Sequence, residues 1–89
     1  MRWILNLTKD AKKDLQFFKD NNSLLYEKCF SLMENMLESP SCGIGKPEKL
    51  KYSKDNLYSR RVNREHRLVY IIDNKNKEIL VISMRKHYQ

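Results

Sequence analysis

The chain divides by the period of its apolar residues. Leu25, Cys29, Leu32, Met33 and Met36 recur at helical spacing, one stripe down one side of a long helix. A stripe of this kind, methionines included, reads as core packing. Nothing of that period follows Pro40 and Gly43, which end the helix and open a loop of small and polar residues. Beyond the loop, residues 57–62, 67–72 and 78–84 read as strands. Helical signal fills one half of the chain and strand signal the other, which restricts the fold to an α+β domain.

The remaining elements follow from local chemistry. Residues 2–7 read as a short first strand, and Thr8 is placed to accept an amide of the first turn of a helix. Ala11, Leu15 and Phe18 then share one face, predicting an amphipathic helix over 9–20. Asn21-Asn22-Ser23 breaks it and offers a cap for the next. Asp73-Asn74-Lys75-Asn76-Lys77 is rich in turn formers, so the last two strands pair as an antiparallel hairpin. Asn63-Arg64-Glu65-His66 is short enough to make the preceding pair a hairpin too. The expected order is β-α-α-β-β-β, two N-terminal helices packed on one face of a small antiparallel sheet. With 89 residues, a chain buries only about 60% of its unfolded surface, so residues 1–89 are expected to form one domain around one core.

Charge narrows the function. The first 38 residues carry six Lys/Arg and six Asp/Glu, and the rest carry twelve against five, so the whole net charge of +7 lies in the second part. Such asymmetry favours a polyanionic partner, nucleic acid first; a basic surface kept for solubility fits charge alone equally well. No apolar run approaches the roughly 18 residues of a membrane span. Cys29 on the helical stripe and Cys42 in the loop form neither a disulfide framework nor a zinc pattern, which suits a reducing cytoplasm. With only His66 and His87 beside them, a protein-held metal site has weak support, and no cofactor is expected.

Chemistry should sit on the sheet face the helices leave uncovered. Arg60, Arg61, Arg67, Arg85 and His87 are basic residues on or beside strands that otherwise read as core, with Lys46, Lys49 and Lys51 just upstream. A lone arginine of this kind is ordinarily a snorkelling edge residue. A group of them can form a phosphate-binding surface, because guanidinium forks match phosphate oxygens. RNA carries its own nucleophile, the 2′-hydroxyl, so cleavage needs a base, a cation for the phosphorane-like charge and an acid for the leaving 5′-oxygen. Glu48, Arg67 and His87 would supply these without an obligatory metal. Arg60, Arg61 and Lys51 would hold flanking phosphates. Residue types alone leave this open beside a solvated basic surface, since any basic domain contains a Glu and a His. A triad of Ser59 or Ser83 with His87 is rejected for want of a nucleophile elbow. His66, in a turn beside Arg67, reads as a structural hydrogen-bonding residue, and Tyr70 as core.

Four motifs carry a further reading. Gly45-Lys46-Pro47-Glu48-Lys49-Leu50, Tyr58-Ser59-Arg60-Arg61-Val62, Glu65-His66-Arg67-Leu68-Val69-Tyr70 and Arg85-Lys86-His87-Tyr88 together resemble the YoeB/Txe toxins, RelE-like toxins of bacterial type II toxin–antitoxin systems. The resemblance is strong in the second half of the chain and one of pattern in the helices. It implies the RelE-like toxin fold and an mRNA interferase that enters the ribosomal A site and cuts the exposed codon, leaving a 2′,3′-cyclic phosphate. The family's general base falls on Glu48, its phosphate-binding arginines on Arg61 and Arg67, and its general acid on His87. Tyr88 matches an aromatic that stacks on substrate bases, and Lys51 a basic residue lining the same site. The partners implied are an acidic antitoxin protein, the ribosome and mRNA, with pairing into a homodimer left open and no membrane. Asn56, Leu57 and Tyr58 stand where the family commonly has a Gly and a Trp, and Gln89 extends past the usual terminal Tyr.

Two rivals remain. A toxin of the same fold that poisons DNA gyrase, of the ParE type, would lack the Glu, Arg and His set. A non-catalytic basic module for RNA or the ribosome would bind with steep salt dependence and cut nothing.

Overall fold

Thr8 does two things at once. Its hydroxyl accepts the Ala11 N–H at 3.1 Å and donates to the Ile82 carbonyl at 2.9 Å, so the residue that caps the first helix also stitches it to the last strand. The computed structural model describes residues 3–51 and 56–85. In chain order these form β1 (Ile4–Leu7), α1 (Lys9–Asn21), α2 (Ser23–Glu38), β2 (Glu48–Lys49), β3 (Leu57–Arg61), β4 (Arg67–Asp73) and β5 (Glu78–Ser83). Asn22 separates the helices as expected. Its backbone N–H closes α1 on the Phe18 carbonyl, and its side chain accepts from Leu25 N–H to open α2.

The strands form one sheet in the order β1-β5-β4-β3-β2. Three of its pairings are antiparallel, but β1 runs parallel to β5, with Leu5 beside Ile79 and Leu7 beside Val81. The sheet is therefore mixed rather than antiparallel throughout. A two-residue strand, β2, extends the far edge, with Glu48 opposite Ser59 and Lys49 opposite Tyr58. Two residues show no alternation, so nothing local marks β2 as a strand.

Both expected hairpins form. His66 closes the β3–β4 turn by accepting Val62 N–H on its carbonyl, while the Asn63 side chain accepts from Glu65 and His66. In the β4–β5 turn Asp73 accepts from the Asn76 side chain and backbone, which holds its carboxyl below the usual range. Within the β4–β5 pair the register slips: Val69 pairs with Ser83 and Tyr70 with Val81, leaving Ile82 as the extra residue. The Ile82 carbonyl is the one Thr8 takes up.

Parity along the strands assigns two faces. Leu68, Tyr70 and Ile72 of β4 and Ile79 and Val81 of β5 pack with Ala11, Phe18, Cys29, Leu32 and Met36 of the helices in one core. Leu32 is wholly buried there, and truncating it to Ala would cost roughly 2–5 kcal/mol. Burial also pushes the Cys29 thiol up to about 12, with the Asp14 charge adding to the shift. The intervening residues, Arg61, Arg67, Ser59 and, by register, Glu48, belong to the other face. Among the described residues no helix is long and apolar enough to cross a membrane.

Candidate active site on the sheet face opposite the helices

Three strands deliver the site. β2 brings Glu48 opposite Ser59 of β3, and β3 brings Arg61 opposite Arg67, the first residue of β4. The Arg67 Nη1 donates to Glu48 Oε1 at 3.3 Å and lies 3.4 Å from the Ser59 hydroxyl, which accepts a longer bond. Arg67 keeps 23% of its side chain exposed and Glu48 keeps 64%. An ion pair so accessible adds little to stability, about 0–1 kcal/mol. It is a solvent-accessible carboxylate held against a partly accessible guanidinium.

The pairing of Arg61 with Arg67 is the second feature. Like charges directly opposite on neighbouring strands repel. Glu48 compensates one of the two, and Arg61 is exposed. An anion seated between the two guanidiniums would relieve the repulsion, and a phosphodiester has the charge and the oxygens to do so. Lys51 is exposed in the turn that follows β2, two residues beyond the end of that strand.

Arg60 is placed otherwise than expected. As the neighbour of Arg61 on an extended strand it points to the opposite face, and it is completely buried. Its Nε–H donates to the Tyr70 hydroxyl at 3.0 Å. Nη1 donates to the Asn35 side-chain oxygen at 2.6 Å and the Ile44 carbonyl at 3.1 Å. Nη2 donates to the carbonyls of Ser39, Pro40 and Cys42 at 2.6, 3.2 and 2.9 Å. All five N–H groups of a guanidinium are thus occupied, and none is left for a flanking phosphate. The expectation of a phosphate contact at Arg60 is corrected accordingly. Alternation in β3 was the signal that could have excluded it.

Tyr70 completes that cluster, accepting from Arg60 and donating to the Pro40 carbonyl at 2.7 Å. Burial holds its phenol above the ordinary range, and the hydrogen bond and charge of Arg60 pull the other way. His66 packs edge-on against Phe18 with ring centres 5.3 Å apart, in keeping with a structural residue.

His87 and Tyr88, the expected acid and stacking aromatic, lie outside the described residues. The last described turn of chain before them is tied to α1. Met84 and Arg85 both donate their backbone N–H to Asp14 Oδ2, at 2.9 and 3.3 Å. The Arg85 guanidinium lies 3.6 Å from the centre of the Phe17 ring, stacked on the helix rather than turned to the Glu48–Arg67 pair. Among the described residues no three His, Cys, Asp or Glu side chains gather as a metal ligand set.

The chain matches known proteins over nearly its whole length. Residues 7–88 match the family model of the YoeB-like toxin of bacterial type II toxin–antitoxin systems. A toxin YoeB of Synechocystis is 42% identical over 76 residues, 85% of this chain and 86% of that protein. The structure of a YoeB/ParE toxin from Agrobacterium tumefaciens superposes with a TM-score of 0.89 at 34% identity, covering 96% of this chain and 99% of that one. The YoeB of Staphylococcus aureus has been solved as a dimer, TM-score 0.85 at 37% identity, and in a heterotetrameric YoeB–YefM toxin–antitoxin complex, TM-score 0.83 at 36% identity. Each of these two covers 99% of this chain and 100% of the other. With the family model matched over residues 7–88 and a toxin YoeB 42% identical over 85% of its length, the chain belongs to the YoeB-like toxins of bacterial type II toxin–antitoxin systems.

Proposed function

We propose that this toxin is a ribosome-dependent endoribonuclease that cuts mRNA in the A site. The observation that carries the reading is the Glu48–Arg67 pair, 3.3 Å apart and accessible, with Arg61 directly across from Arg67. Glu48 takes the proton of the 2′-hydroxyl as general base. The alkoxide attacks the adjacent phosphorus, and Arg67 stabilises the charge that grows on the non-bridging oxygens. His87 gives a proton to the departing 5′-oxygen, leaving a 2′,3′-cyclic phosphate on one fragment. The nucleophile belongs to the substrate, so the protein needs only a base, a cation and an acid. Arg61 and Lys51 hold the neighbouring phosphates, and Tyr88 stacks on a base.

The basic second half of the chain supplies the general attraction to ribosomal RNA and message. The same surface suits an acidic antitoxin segment as inhibitor, and the YoeB–YefM complex of Staphylococcus aureus is the model for that partner. The dimer of the same protein is the model for self-association. The deciding experiment adds purified toxin to ribosomes stalled on a defined message and maps new 5′ ends. The expected result is a cut in the A-site codon, absent with Glu48→Ala and with His87→Gln. An uncut message together with inhibited gyrase supercoiling would replace this reading with the gyrase-poisoning one. Salt-sensitive ribosome binding without new ends would leave a non-catalytic module.

A further inference from the structure

Arg60 is the most elaborately bonded side chain described in the molecule, and nothing in the reaction uses it. Its six acceptors are all neutral oxygens, and four of them are the carbonyls of Ser39, Pro40, Cys42 and Ile44. These follow one another along the segment that leaves α2 and arrives at β2. Ser39 is the C-cap of α2, so the guanidinium also sits at the negative end of that helix. A chain wound about one cation in this way has few ways to move.

What the segment delivers is Glu48. Beyond Ile44, the Gly45 carbonyl accepts the Arg61 backbone N–H at 2.7 Å, so the Arg60 side chain and the backbone of its neighbour hold consecutive loop residues. Gly45 has φ of +80°, and a Cβ there would lie 2.6 Å from Leu32 and 3.2 Å from the Cβ of Arg60. Close approach to β3 therefore demands glycine at this point. Asn35 joins the arrangement from α2, its side-chain oxygen accepting both the Arg60 Nη1–H and the Ile44 N–H, at 2.6 and 3.1 Å. β2 itself is only two residues long, too short to fix its own position. Its anchors are the pairing with β3, the Leu50 N–H on the Leu57 carbonyl at 2.8 Å, and the loop behind it.

We propose that Arg60 is a positioning residue for the reaction, gathering the loop of residues 39–45 so that the Glu48 carboxylate reaches the 2′-hydroxyl. The proposal rests on the reading of Glu48 as general base. It assigns the two adjacent arginines different work: Arg61 binds substrate, and Arg60 acts through the backbone on the opposite side of the sheet. Misplacing a catalytic group by about 1 Å can cost on the order of 100-fold in rate.

The test uses the full chain with Arg60→Lys, which keeps the charge and loses the fork, and Tyr70→Phe, which removes one partner and leaves Arg60 in place. Two quantities are read: amide exchange at Ile44, Leu50 and Arg61, and single-turnover cleavage on programmed ribosomes at varied ribosome concentration. The expected result is faster exchange at those amides with the α1 amides unchanged. The saturating cleavage rate should fall roughly 10- to 100-fold while the half-saturating ribosome concentration stays put. Adding Glu48→Ala to either variant should then cause no loss beyond that of Glu48→Ala alone, because the two act as one unit. If Arg60→Lys does not fold, Tyr70→Phe carries the same comparison.

Wild-type cleavage by both variants beside an inactive Glu48→Ala would overturn the proposal and leave the base assignment standing. So would losses that multiply, or a shift in half-saturation with an unchanged saturating rate. Full activity of Glu48→Ala by itself would overturn the base assignment, and with it this proposal.

Discussion

Arg60 and Arg61 differ by one position in sequence and by the whole thickness of a sheet in space. One is buried among neutral oxygens on the helix side, all its donors used. The other is exposed on the opposite side, facing a second arginine. The same side chain is a structural bolt in the first setting and a solvent-exposed guanidinium in the second. The difference lies in the period of two along a strand, which sends neighbours to opposite faces. It teaches that a run of basic residues in a strand is two populations and should be counted as such.

The sharpest way to test the division is to alter each face and read both activity and stability. On the exposed face Glu48→Gln should lower single-turnover cleavage by about 10²–10⁴-fold and leave the melting temperature within error, since the ion pair it breaks is accessible. A large loss of stability would mean that the pair is structural. Arg67→Ala should follow with a loss of roughly 10²–10³-fold in the saturating rate. An effect confined to half-saturation would make Arg67 a binding residue.

On the buried face the sign reverses. Arg60→Leu takes the Arg60 donor from the carbonyls of Ser39, Cys42 and Ile44, while Pro40 keeps the Tyr70 hydroxyl, and an unsatisfied buried polar group costs about 1–3 kcal/mol. Urea unfolding should show a loss of several kcal/mol, whereas Arg61→Ala should stay within about 0.5 kcal/mol of the parent. Arg61→Ala should instead flatten the salt dependence of RNA binding, by about one unit of slope for each phosphate no longer neutralised. Equal destabilisation by the two substitutions would erase the contrast between the faces.

The smallest effect concerns the thiols. Cys29 is buried with its thiol pushed up to about 12, and Cys42 is exposed. The thiolate is the reactive form. A thiol reagent near neutral pH should therefore label Cys42 promptly and Cys29 only on unfolding, as mass spectrometry would count. Prompt double labelling of the folded protein would show that the helix stripe opens to solvent.

Much of the fold was legible because its signals are local. The stripe from Leu25 to Met36 had only one way to bury itself, Thr8 and Asn22 cap the helices they were expected to cap, and Asp73 opens the expected turn. The site was legible in part for a different reason. The motifs around Glu48, Arg61 and Arg67 identify a family, and their convergence then follows from strand register. Arg60 departs from expectation because residue type alone groups it with Arg61, whereas alternation along Ser59-Arg60-Arg61 separates them. Its cage was out of reach altogether, since backbone carbonyls carry no mark in a sequence.

The order of helices and strands, the apolar faces and the residue types available for acid–base work all follow from neighbours along the chain. Local propensity and period suffice for them. The parallel docking of β1 on β5, the short strand that brings in Glu48, and the winding of the loop about Arg60 depend on segments far apart in sequence. Such pairings exist only once the core has closed, because the interactions that select them are made between elements and not within any one of them.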